Sequence, residues 1–184
     1  VTMTGLQPAL GAGFGCGTIV GMDSALRPRR SVLFMPGANA RALEKARSID
    51  CDGIIIDLED AVAPDLKVEA RERTAGVVRG HPYGYREVAI RVNGMDTQWY
   101  HDDLVAAVAA GPDAIAVPKV SSAEQVRAIV ADMEAAGADK SVKLWAMIET
   151  PRAVLDCLDI AEASDRLTAV SYTHLRAHET KANL

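Results

Sequence analysis

The sequence predicts an α/β fold built from βα units in series. Three observations carry that prediction. Five short apolar runs recur along the chain: Ser31–Met35, Gly53–Ile56, Val88–Ile90, Ala114–Val117 and Leu144–Ile148. Each ends in Pro, Gly or a charged residue, and a helix-like stretch follows. The units repeat at roughly 22 to 34 residues, the size of a βα module. Continuous apolar runs are the pattern of buried parallel strands, which are covered by helices on both faces.

The helical stretches carry their own signals. Asn39 caps a predicted helix through Arg47. After Pro64, Asp65 caps a charged helix to about Val78. Residues 98–110 carry Trp99, Leu104, Val105 and Val108. Ser121 and Glu124 form a capping box, Val126, Ile129, Val130 and Met133 follow at helical spacing, and Gly137 is the stop. Thr150 caps a helix with Pro151 at its first position, carrying Val154, Leu155 and Leu158.

A sixth strand begins at Leu167–Val170. A closed (β/α)8 barrel needs eight strands and about 250 residues, and this chain has 184. The expectation is an incomplete (β/α)8 barrel of about five βα units plus a sixth strand. Residues 1–26 are expected to be a flexible leader, with Met22 a candidate natural start. Its stretch Gly11–Gly17 lacks the Gly-Lys-Ser/Thr ending of a phosphate loop. Residues 27–170 form the domain. Residues 171–184 change character and resemble translated adaptor sequence, so a non-native tail is expected there.

Composition narrows the function classes. Net charge is −5 and aromatics make up 4%, which argues against phosphate-rich or base-stacking partners and hence against nucleic acid. No apolar stretch reaches the length of a membrane span. The three cysteines are scattered, outside any metal or disulfide spacing. Cys51 and Cys157 are expected to be buried, and a reducing, cytoplasmic compartment follows.

In parallel βα folds ligands sit beyond the carboxyl ends of the strands, and there this chain gathers charge. Glu149 follows the fifth strand. It suits a Mg²⁺ ligand, since Mg²⁺ takes oxygen donors from one or two carboxylates. A carboxylate stabilised by a helix N-terminus is the other reading. Arg91 ends the third strand and can fork onto a carboxylate or enolate oxygen, or pair with Asp57 or Glu59. Asp57 and Glu59 lie on one side of an extended segment and Asp60 on the other. Lys119, after Pro118, could form a Schiff base if desolvated, or pair with a carboxylate. His81 and His101 read as surface residues. His174 and His178 have metal-ligand spacing but fall in the tail.

Five segments carry a resemblance: Arg30–Gly37, Asp57–Val62, Arg91–Asn93, Pro118–Val120 and Ile148–Thr150. In order and spacing they resemble the citrate lyase β-subunit/malyl-CoA lyase group of the HpcH/HpaI aldolase superfamily. The resemblance implies a TIM barrel, Mg²⁺ and carbon–carbon lyase chemistry on acyl-CoA thioesters or small oxo acids, in a homo-oligomer when full length. It implies that Glu149 is a metal ligand touching substrate and that Arg91 binds substrate carboxylate or enolate. Pro36 and Gly37 line the site, with Asp57, Glu59, Asp60 and Lys119 in support. The second metal ligand of such proteins, an Asp just after the sixth strand, has no counterpart in Ser171-Tyr172-Thr173-His174-Leu175. The expected function is cleavage or formation of a malyl-CoA or citryl-CoA type 3-hydroxyacyl-CoA through an enolate. A metal-dependent pyruvate-type aldolase without CoA, a Lys119 Schiff-base aldolase, and an inactive fragment or non-catalytic subunit are the alternatives.

Overall fold

The computed structural model describes residues 27–80 and 82–172. The leader, Cys16, His81, His174, His178 and most of the tail lie outside them. Six parallel strands run in chain order: β1 (Val32–Pro36), β2 (Gly53–Asp57), β3 (Glu87–Arg91), β4 (Ala114–Val117), β5 (Lys143–Met147) and β6 (Leu167–Ser171). Each pairs with the next, so the sheet has no point where the strand order reverses. Sequential order is that of a barrel and not of a doubly wound sheet. The sheet is not closed: β1 and β6 are its edges. This is the predicted architecture.

The helices are α1 (Ala40–Ala46), α2 (Lys67–Val78), α3 (Tyr100–Ala110), α4 (Ala123–Ala135), α5 (Pro151–Leu155) and α6 (Cys157–Ala161). Among the described residues they cover one face of the sheet, not the two that the apolar runs suggest. Strand residues Ile54, Ile56, Ile90, Ile115, Val117 and Leu144 pack in one cluster with Leu43, Val78, Leu104, Ile129 and Met133 of the helices. On the other face Ile55, Ala89, Ala114, Ala116 and Trp145 pack together with no helix among them. The strands are apolar on both sides because a curved sheet also fills its own interior. Each fully buried Ile contributes about 1.5–3 kcal/mol.

The caps divide into expected and corrected. Asn39 and Thr150 accept from Ala42 and Ala153 as predicted. The α4 cap is Ser122, which accepts from Gln125 N, while Gln125 turns back to accept from Ser121 N. Two adjacent serines both suit a cap, and Gln125 decides between them. Gly137, at φ 84, ends α4. Its N–H bonds Glu134 O and that of Ala138 bonds Met133 O, the paired closure a left-handed glycine permits. Asp65 caps nothing: Pro64–Leu66 form a 3₁₀ turn and α2 begins at Lys67 without a side-chain cap. The helix after Thr150 breaks into α5 and α6. Its buried residues are Ala153 and Ile160, while Val154, Leu155 and Leu158 are exposed. Cys51 is buried as expected, but Cys157 is exposed. His101 is exposed, as read from the sequence.

Candidate active site

Parallel strands in register deliver their last residues to one rim. Pro36 pairs with Asp57, Asp57 with Arg91, and Arg91 with Ala116. Side chains alternate along a strand. Asp57 and Arg91 therefore share the inner face with Ile55 and Ala89, two residues earlier on their strands. Glu149 follows Trp145 at even spacing beyond the end of β5.

Arg91 is buried and held from two sides. Its Nε and Nη2 donate to Asp57 Oδ1 and Oδ2 at 2.7 and 2.6 Å. Its Nη1 lies 2.8 Å from Glu59 Oε2, and its guanidinium stands 5.1 Å from the Phe34 ring centre. Burial pulls the Arg91 pKa down, but the hydrogen bond and charge of Asp57 outweigh it and hold the group above its ordinary value. A guanidinium carries five N–H groups. The fork facing Asp57 uses two and Glu59 lies against a third, so two have no partner among the described residues.

Asp57 is saturated. Besides Arg91, its oxygens accept Glu59 N at 2.8 Å and Ala61 N at 3.1 Å. Four bonds fill the capacity of a carboxylate, so Asp57 orients Arg91 and the turn after β2. Glu59, 5% exposed, bridges Arg91 and Lys119: Lys119 Nζ donates to its Oε1 at 3.0 Å. Its Oε2 meets the Arg91 charge without an aligned hydrogen bond. Asp60 is exposed and, among the described residues, forms no ion pair.

Lys119 is the only non-glycine among the described residues with positive φ, at 57°. The left-handed region costs a residue with a Cβ about 1–2 kcal/mol, and such outliers collect at functional sites. The bend turns Lys119 N–H onto Glu149 Oε2 at 3.0 Å. Its ammonium is half exposed, and the hydrogen bond to Glu59 raises its pKa. Glu149 is half-buried. Burial pushes its pKa up, Glu59 adds repulsion, and the Lys119 N–H, Arg91 and Lys119 oppose.

The structure thus joins Arg91, Glu59, Lys119 and Glu149 in one chain of contacts at the carboxyl rim. Pro36 sits at the same rim on β1, half-buried. Gly37 is needed for close approach: a Cβ there would lie 2.7 Å from Thr74 Oγ1 and 2.9 Å from Leu58 Cδ2.

Behind the rim lies a polar network that sequence reasoning missed. Lys67, 5% exposed, donates to Leu58 O, Glu59 O and Asn93 Oδ1, each at 2.7 Å. Asn93 N donates to Asp103 Oδ2 at 3.1 Å, and Arg71 Nε donates to Asp103 Oδ1 at 2.7 Å. The one available signal was Asn93 in the Arg91-Val92-Asn93 segment. Lys67, Arg71 and Asp103 read as solvated helix charges.

Among the described residues no group of three or more His, Cys, Asp or Glu is arranged to hold a metal by itself. Glu149 alone has the character of a single-carboxylate Mg²⁺ ligand. It is desolvated, and its Oε1 accepts no hydrogen bond from a described residue. That fits an ion that takes one or two carboxylates and completes its shell with water and substrate.

Comparisons with known proteins agree with this fold. Residues 30–174 match the family described as HpcH/HpaI aldolase/citrate lyase. A (3S)-malyl-CoA thioesterase of Cereibacter sphaeroides is 48% identical over 149 residues, covering 81% of this chain and 50% of the relative. An L-malyl-CoA/beta-methylmalyl-CoA lyase of the same species is 36% identical over 152 residues, covering 79% and 48%. The chain therefore spans about half the length of these curated relatives. A citrate lyase beta subunit from Mycobacterium tuberculosis, solved with oxaloacetate and magnesium, superposes with a TM-score of 0.60 at 28% identity, covering 77% of this chain and 56% of that one. The CitE protein of that organism, solved with magnesium, acetoacetate and coenzyme A, gives 0.60 and 28%, covering 77% and 47%. Five ordered segments, a sequential parallel sheet and these matches lead to one assignment: the chain belongs to the HpcH/HpaI aldolase/citrate lyase family.

Proposed function

We propose that this chain carries part of the active site of a Mg²⁺-dependent carbon–carbon lyase. Its substrate is a 3-hydroxyacyl-CoA of the malyl-CoA or citryl-CoA type, cleaved or formed through an enolate in a cytoplasmic homo-oligomer. The supporting observation is that Arg91 and Glu149, from different βα units, belong to one contact chain at one rim. When bound, Mg²⁺ supplies Lewis acidity to the keto and carboxylate oxygens of an oxo acid. Glu149 would hold it, and the Lys119 N–H keeps that carboxylate in place. Arg91 presents its two free N–H groups to the negative oxygen of the substrate or enolate. Asp57 fixes the guanidinium beforehand, so no reorganisation is needed when charge develops. Among the described residues the geometry singles out no base for the hydroxyl proton. The Asp that the family resemblance implies just after the sixth strand would be the second metal ligand, and Ser171-Tyr172-Thr173-His174-Leu175 holds no such Asp.

The relative named as a thioesterase favours a second reading, hydrolysis of the same thioester. A single experiment separates the readings: malyl-CoA with Mg²⁺, and product analysis by mass spectrometry. Acetyl-CoA and glyoxylate mark the lyase; malate and free CoA mark the thioesterase. Turnover of free hydroxy acids alone would mark the pyruvate-type aldolase. No product from any of these substrates would overturn the enzyme reading and leave a non-catalytic subunit or fragment. The Schiff-base route has little support, because Glu59 holds Lys119 in its protonated form. Borohydride trapping of a Lys119 adduct would revive it.

A further inference from the structure

Lys67 occupies an unfavourable place. It begins α2, where the helix dipole disfavours a cation, and it is 5% exposed. Buried lysines are rare unless paired. A methionine at this position would start the helix and pack against Trp99 without desolvating a charge. The ammonium therefore has a task besides helix formation.

Its contacts identify the task. Three N–H donors meet three acceptors at 2.7 Å: the carbonyls of the consecutive residues Leu58 and Glu59, and Asn93 Oδ1. Two successive carbonyls turned onto one ammonium fix both peptide planes of the turn after β2. Asn93 ties that turn to the segment after β3 by donating its Nδ2 to Leu58 O at 3.0 Å. The Trp99 ring lies 5.2 Å from the ammonium and adds a cation–π contact. The Glu59 side chain leaves this fixed turn to reach Arg91 Nη1 at 2.8 Å and Lys119 Nζ at 3.0 Å.

We propose that Lys67 is a positioning residue: it holds the Leu58–Glu59 backbone so that the Glu59 carboxylate straps Arg91 to Lys119 across two βα units. The catalytic meaning of the strap rests on the lyase reading; the linkage itself does not. Lys67 does not touch Lys119, and the side chain that joins the turn it holds to Lys119 is Glu59.

The test reads Lys119 without any substrate. Glu59 Oε1 holds the Lys119 amine in a hydrogen bond at 3.0 Å, so acetic anhydride at fixed pH should modify it slowly. Peptide mass spectrometry gives its rate. Glu59→Gln and Lys67→Gln should each raise the Lys119 rate roughly two- to ten-fold, because a hydrogen bond no longer competes for the amine. The double variant should match the faster single variant, since both changes cut the same link. Lys67→Met, which keeps the apolar stem and removes the donors, should give the same rise and remains informative if Lys67→Gln does not fold, while the exposed Lys140 should keep its wild-type rate in every variant. An unchanged Lys119 rate in folded Lys67→Gln, multiplied effects in the double variant, or a Lys140 rate that rises in step with Lys119 would each overturn the proposal. Calorimetry of oxaloacetate with Mg²⁺ on the unaltered protein is a separate arm. No heat there counts against the lyase reading, while the labelling still decides the role of Lys67.

Discussion

The two ends of the sheet handle charge in opposite ways. At the amino end Glu87, Asp52 and Asp113 are each paired with an arginine. Arg29 donates to Glu87 through Nε and Nη2 at 2.6 and 2.8 Å and lies over Trp145. Asp52 takes Arg30 together with the backbone N–H groups of Arg30 and Ser31. Asp113 takes Arg27 and Val88 N. At the carboxyl end Glu59 Oε2 lacks an aligned donor, Glu149 is pushed toward its neutral form, and Lys119 is bent into the left-handed region. Well-paired charge serves stability. Strain and incomplete pairing at the rim favour the ligand site proposed there.

Substitutions at the two ends should separate stability from function. Arg91→Met should have the largest effect. It leaves Asp57 buried without its cation and Glu59 with Lys119 alone, which costs about 3–5 kcal/mol, and it removes a charge-stabilising donor, which costs about 10²–10³ in rate. Urea unfolding and steady-state kinetics measure the two. Arg29→Met should cost about 1–3 kcal/mol by stranding Glu87, yet leave turnover per folded molecule unchanged. Equal loss of turnover in both variants would erase the distinction between the ends.

Lys119→Gly should raise stability by about 0.5–1 kcal/mol through relief of the left-handed backbone, while weakening ligand binding. A drop in the urea midpoint would show that the ion pair to Glu59 matters more than the strain. Glu149→Gln tests the same trade through pH. A carboxyl whose folded pKa lies above its ordinary 4.5 takes up protons on folding. Stability then falls as pH rises from 4.5 through the raised folded value. Glu149→Gln should lack that fall and melt higher at neutral pH. The smallest effect is at the amino end. Arg30 holds the Asp52 pKa down at about 2 against an ordinary 3.8. Its stabilising contribution is therefore present above 3.8 and fades as pH drops toward 2. Asp52→Asn should lower the urea midpoint above pH 3.8 and abolish its fall between 3.8 and about 2.

The strands were legible because their apolar runs report burial on both faces, and Arg91, Glu149 and Lys119 were legible because strand ends mark the rim. The helix-free inner face was not, since a strand covered by helices and a strand facing a barrel interior have the same apolar pattern. Local chemistry revealed Asn39, Thr150 and Gly137. It failed where neighbours compete, as Gln125 chooses Ser122 over Ser121. Lys67 was illegible because two of its three acceptors are backbone carbonyls of another segment, which no spacing rule exposes. Leu155 and Leu158 misled for the converse reason: helical spacing shows an apolar stripe, while the break between α5 and α6 turns it outward.

The most direct measurement uses Mn²⁺ in place of Mg²⁺ and follows the Arg91 Nε–H signal by NMR. If Glu149 holds the ion beside Arg91, Mn²⁺ broadens that signal strongly, leaves Arg29 sharp, and has no effect on Arg91 in Glu149→Gln. An Arg91 signal that stays sharp with Mn²⁺, or broadens equally without the Glu149 carboxylate, would contradict a shared site.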